Sequence, residues 1–112
     1  MSACIELARR LGKALADSPQ ATAYRAAREE LNAQPDVRQT LQAYQQQAEK
    51  VARLEAEEKP VEVEDKHRLQ ELNNQLIASE VFKKLTAAQV EWVDLMRRVN
   101  QALEGELTEV EG

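Results

Sequence analysis

The sequence predicts an all-α protein, an antiparallel helical hairpin or bundle of four to five helices, two of them long. Three observations carry this reading. Ala, Leu, Glu, Gln, Lys and Arg, the strong helix formers, dominate the 112 residues. Three Gly and three Pro are too few for a loop-rich or all-β chain. Apolar residues recur at spacings of three and four almost from end to end. A chain of this length makes one small helical domain. It is expected over residues 1–104, with an acidic, frayed tail over 105–112.

Residues 4–16 form the first expected helix, with Ile5, Ala8, Leu11 and Leu15 on one side. The triplet "DSP" at 17–19 punctuates it. Asp17 or Ser18 can cap the next helix, and Pro19 suits a first turn, where no backbone donor is required. The first two helices are either separate or nearly continuous across this triplet. The second turns Ala23, Tyr24, Ala27 and Leu31 inward and ends near "NAQ". Pro35 then restarts the pattern, with Asp36 placed favourably for the helix dipole. From there Val37, Leu41, Tyr44, Ala48, Val51 and Leu54 make a narrow stripe close to a coiled-coil seam. This third helix runs about twenty residues, or ~30 Å.

The stretch "EAEEKPVEVEDKH" at 55–67 alternates apolar and charged residues as a strand would. A strand needs a partner, and no second alternating segment exists in the chain. Pro60 stops the third helix, because the residue before a proline avoids helical angles. Residues 58–64 are therefore expected to be an exposed turn between antiparallel helices, with Glu62, Glu64 or Asp65 opening the next one. Six acids against one lysine between Glu55 and Asp65 keep the tip soluble. Leu69, Leu72 and Leu76 resume the helical period. "ASE" at 78–80 marks another junction, with Ser79 as cap. The last helix carries Leu85, Ala88, Trp92, Leu95, Val99 and Ala102, with Phe82, Met96 and Leu103 widening the stripe. Gly105 is expected to end it in a left-handed conformation.

Several chemistries find no support in these residues. The net charge of −5 is uneven: five basic and four acidic residues up to Pro35, ten and sixteen beyond it. That disfavours direct nucleic-acid binding, which needs a basic face. The small basic groups (Arg9, Arg10, Lys13; Lys83, Lys84; Arg97, Arg98) read as solvated helix faces. No apolar run approaches the ~20 residues of a membrane span. Glu6, Arg9, Arg10 and Lys13 interrupt the apolar core a signal peptide requires, so a reducing cytoplasm is the expected location. Cys4 is the sole cysteine and forms no intrachain disulfide. Near an end of the chain it reads as a small apolar residue, not as an activated nucleophile.

Glu64-x-x-His67 is half of the pair used by di-iron helix bundles. His67 is the only histidine, so only assembly across subunits could complete such a site, and no metal is expected. There is no glycine-rich phosphate loop, and no Ser-His-Asp set can be nominated. Trp92 and Met96, one turn apart, read as core or interface packing. No enzyme activity is expected.

The order of "LADSPQATAYRAAREEL", "PDVRQTLQAYQQQ", the acidic turn "EAEEKPVEVED" and "IASEVFKKLTAAQVEWVDLM" resembles the YlbF/YmcA family of small bacterial helical proteins. The likeness spans roughly Ile5 to Leu103, and the compact length looks most like the YheA type. The resemblance implies a cytoplasmic, all-helical, self-associating protein. It also implies a place among regulators of competence, sporulation and biofilm formation that influence RNA turnover through ribonuclease Y. The better-studied members carry cysteines linked to iron–sulfur clusters. Cys4 alone cannot hold a cluster, so no cofactor is expected.

The leading reading is therefore a non-enzymatic, helical regulatory protein that acts by contact with other proteins and forms a homodimer or higher homo-oligomer. Val37, Leu41, Tyr44, Val51, Leu85, Trp92, Leu95, Met96 and Val99 are the expected core and subunit seam. One rival is a chaperone-like or scaffolding hairpin gripping client proteins with apolar tips. The junctions at Pro19, Pro35 and Ser79 carry few large apolar residues to serve it. The other rival, an enzyme with a subunit-bridging metal, rests on Glu64 and His67 alone.

Overall fold

The computed structural model describes residues 2–111, which form five helices: α1 (Ala3–Ala16), α2 (Pro19–Asn32), α3 (Pro35–Ala56), α4 (Val63–Ile77) and α5 (Glu80–Glu111). The all-α architecture matches the expectation, and "DSP" separates the first two helices. The chain divides into two compact units, one of residues 28–85 and one of residues 1–27 with 86–112. Helices α2 and α5 each contribute to both.

In the unit of residues 28–85, α3 and α4 pack antiparallel across a short turn. Gln47 donates its side-chain amide to the backbone oxygen of Asp65 at 3.0 Å, and Lys50 meets the Asp65 carboxylate at 2.9 Å. Leu31, Leu72, Leu76 and Val81 are its buried side chains. Ser79 accepts the backbone N–H of Phe82 at 3.3 Å, capping α5 as its position after α4 predicts. Just inside that cap, Lys84 pairs with Glu30 at 3.1 Å. Such an exposed pair contributes little stability.

The turn is shorter than expected. Residues 57–62 lie outside helices, and Val63 and Glu64 already belong to α4, with Glu62 as its extended N-cap. Three acids at positions 62, 64 and 65 meet the positive end of the α4 dipole, which moves the helix start toward Pro60. On the other side, α3 ends in a Schellman motif. The Lys59 N–H donates to the Leu54 carbonyl at 2.8 Å, the Glu58 N–H donates to the Glu55 carbonyl at 3.1 Å, and Glu58 takes φ 56°. That left-handed geometry costs an L-residue ~1–2 kcal/mol and glycine nothing. Glu58→Gly should therefore raise the stability of this hairpin, by about 1 kcal/mol in urea unfolding. No gain would mean that the side chain stabilises the turn as much as its backbone strains it.

In the unit of residues 1–27 and 86–112, Ser18 closes the corner between α1 and α2. Its hydroxyl donates to the Leu15 carbonyl at 2.7 Å and accepts the Ala21 N–H at 3.1 Å. Arg25 reaches back to the Ala16 carbonyl at 3.0 Å, satisfying one of the unpaired acceptors at the end of α1. Ala21 and Ala27 are buried, and Tyr24 is half-buried. Ala23, expected to point inward, is instead exposed. The two alanines flank the apolar face of α2 on opposite edges. Ala21 follows directly on the Ser18 corner, whereas Ala23 faces an open depression lined by Pro19, Gln20, Ala87, Ala88 and Glu91.

Gly105 does not end the last helix. It lies inside α5 without a positive φ, and the helix continues to Glu111. A helical glycine costs roughly 1 kcal/mol relative to alanine. The flanking Glu104, Glu106 and Leu107 are good helix formers, and Leu107 and Val110 extend the apolar stripe. Residues 105–111 are helical and exposed.

Candidate interaction surface

The nine expected seam residues share one property: none is buried in the single chain, and all are half-buried. Val37, Leu41, Tyr44, Val51 and Leu85 lie in the unit of residues 28–85. There Tyr44 and Val51 face Leu69 and Asn73 of α4 across a shallow depression. Trp92, Leu95, Met96 and Val99 lie in the other unit, on α5. The buried large side chains are others: Leu72, Leu76 and Leu31, with Val81 at the start of α5. Val81 was not anticipated, although it stands one turn before Leu85 on the same face.

The stripe on α5 has a longer period than a coiled-coil seam. Val81, Leu85 and Ala88 are followed eleven residues later by Trp92, Met96 and Val99. Eleven further on come Leu103, Leu107 and Val110. Eleven residues make three turns at ~3.67 residues per turn, so the face runs nearly straight along the helix without the left-handed drift of a heptad. Its last set is exposed, whereas the first two are buried or half-buried. Val81 is 6% exposed, the middle set is half-buried, and Leu103 and Val110 are 49% and 81% exposed.

Helix α1 buries none of its residues; Leu7 and Leu11 are exposed on one side of it and Ile5 on another. Off this stripe, α5 also carries exposed Val90 and Val93, apolar residues of the kind ordinary on any surface.

The titratable groups show no such convergence. Glu64 and His67 are exposed on α4, and Cys4 is exposed on α1. Among the described residues no three His, Cys, Asp or Glu side chains are placed to hold a metal, and no helix is long and apolar enough to cross a membrane. The hydrogen bond from Lys50, then that from Gln47, holds the Asp65 carboxyl below the ordinary 3.8. A depressed folded-state value stabilises the native form above the ordinary carboxyl range, and the gain is lost as pH falls through the lowered value. Asp65→Asn should therefore be less stable than the parent protein at neutral pH. The difference should shrink once pH drops below 3.8. A gap that persists unchanged in strong acid would show that charge is not what Asp65 supplies to the hairpin.

The class these observations define is an all-helical protein whose distinguishing surface is apolar and extended along helices. The chain belongs to the family described as control of competence regulator ComK, YlbF/YmcA, which matches residues 4–108. The description names a regulatory role and no reaction. Neither a curated protein nor a solved structure matches the chain.

Proposed function

We propose that this protein is a non-enzymatic regulator that self-associates, as a homodimer in its simplest form, and acts by binding other proteins. The observation that carries the reading is the half-burial of all nine seam residues, together with a stripe on α5 whose last set, Leu103, Leu107 and Val110, is exposed. A monomer this small does not ordinarily leave a continuous apolar face in water. Burial against a second copy removes it, and two-fold symmetry is the commonest closed arrangement. Membership of the competence-control family supports a regulatory role. The sporulation, biofilm and RNA-turnover processes implied by the resemblance are the natural places to look for its protein partners.

Sedimentation equilibrium at micromolar concentration tests the assembly. A folded monomer of the wild-type chain under those conditions would falsify it. Affinity capture from the native cell, followed by mass spectrometry, tests the regulatory part. The expected result is recovery of the same protein partners with and without nuclease treatment. Recovery only while nucleic acid is intact would point to a nucleic-acid-binding protein instead.

A further inference from the structure

We infer that α1 lies flat on an anionic membrane surface, its leucine side in the lipid and its cationic side among the headgroups. The inference is independent of the self-association proposed above. Every residue of α1 except Leu15 is exposed, so the helix adds nothing to the core. Its sequence is nevertheless the most sharply two-sided of the five helices. At 3.6 residues per turn, Cys4, Leu7, Ala8, Leu11 and Leu15 fall within about 100° of one another. Arg9, Arg10 and Lys13 fall on the opposite side.

Leucines on one side, cations on the other and little net hydrophobicity are what settle a helix between headgroups and acyl chains. The position of the charge selects a lipid surface over a protein groove. Helix α1 carries three cations against the single acid Glu6, in a chain whose net charge is −5. Among the described residues, none of the three forms an ion pair within the chain. A protein that covered the leucine side would leave these cations facing away from it. A bilayer engages both sides. A helix about 10 Å across, sunk about 5–10 Å at its apolar side, still holds its far side at headgroup level. The negative surface potential also extends over a Debye length, about 8 Å at physiological ionic strength. Fourteen residues give α1 about 21 Å, too short to cross ~30 Å of hydrocarbon, so it lies on the surface.

Co-sedimentation of the full chain with lipid vesicles tests this. The wild-type protein should bind vesicles rich in phosphatidylglycerol, and bind vesicles of phosphatidylcholine alone far more weakly. Each cation near an anionic surface contributes about five-fold, so Arg9→Gln/Arg10→Gln/Lys13→Gln should weaken binding roughly 100-fold at low salt. Leu7→Gln/Leu11→Gln should weaken it roughly 10-fold, because surface binding scales with the apolar area buried. Glutamine is a good helix former and neither set removes a buried side chain. Helical circular dichroism and urea unfolding of both variants should therefore match wild type. Cys4, the sole cysteine, is exposed on the leucine side. A polarity-sensitive fluorophore attached there should shift to the blue when phosphatidylglycerol vesicles are added.

Two results would overturn the inference. In one, the wild-type chain ignores phosphatidylglycerol vesicles; if Leu7→Gln/Leu11→Gln then also shifts sedimentation toward monomer, a second copy covers the leucine side instead. In the other, binding falls with the cations but is unchanged by Leu7→Gln/Leu11→Gln and the fluorophore does not shift. Charge alone would then hold the protein near the surface, with no helix in the lipid.

Discussion

Leu76→Ala should be the most destabilising single substitution in the chain, lowering the unfolding free energy by about 3–4 kcal/mol. Leu76 is 1% exposed, the most enclosed large side chain, at the end of α4 just before the Ser79 cap that starts α5. Alanine would lose the transfer free energy of the missing carbons and leave a void that close-packed neighbours fill only in part. With so few other buried side chains in the unit of residues 28–85, this one loss removes a large share of its core. For a chain this size the midpoint should fall by roughly 15 °C. Ile77, the next residue along, is 52% exposed and serves as the internal control. Ile77→Ala should change stability by less than about 1 kcal/mol. Urea unfolding followed by helical circular dichroism measures both. Equal losses from the two substitutions would contradict the burial pattern of α4.

The helix boundaries were legible because local chemistry sets them. Pro19 and Pro35 open α2 and α3 at a position that needs no donor, Ser18 and Ser79 offer capping oxygens, and Pro60 bars α3 from continuing. These are interactions within a few residues, and the residue types declare them. The boundaries that were misread turn on competition between weak terms. Gly105 is a helix stop only where the chain benefits from leaving the helix. Here good helix formers follow it and the helix continues. The turn before α4 lost two residues to the helix for a similar reason, since acids at 62, 64 and 65 extend it backward.

The interaction surface was legible as a set of faces and not as a pattern of coverage. Periodicity places Trp92, Met96 and Val99 on one side of α5, but periodicity is blind to what lies opposite. Leu95 and Ala102 also fit a spacing of three and four, and this masks the eleven-residue repeat. Reading Gly105 as a stop hid the last set, Leu107 and Val110, altogether. Which residues a helix buries depends on tertiary packing, and that is why Leu31, Leu72, Leu76 and Val81 are enclosed while the more conspicuous seam is half-open.

Trp92→Ala should have the largest effect on assembly, because Trp92 is the largest side chain on the α5 face and stands in its half-covered middle set. Truncating a fully buried tryptophan costs about 3–5 kcal/mol. In the single chain Trp92 is only half-buried, so about half of such a cost should appear as lost stability of the isolated chain. The remainder should appear in association, as a dimer dissociation constant raised on the order of 10- to 100-fold. Large aromatics at the centre of an interface carry such a share because they bury the most area with the fewest rotatable bonds. Val93, adjacent in sequence, is 57% exposed and points about 100° away around the helix, so Val93→Ala should leave both quantities nearly unchanged. Sedimentation equilibrium and urea unfolding, run on the same preparations, separate the two contributions. If Trp92→Ala lowers stability by the full amount and leaves the sedimentation profile as it was, Trp92 belongs to the interior of one chain and the subunit seam lies elsewhere.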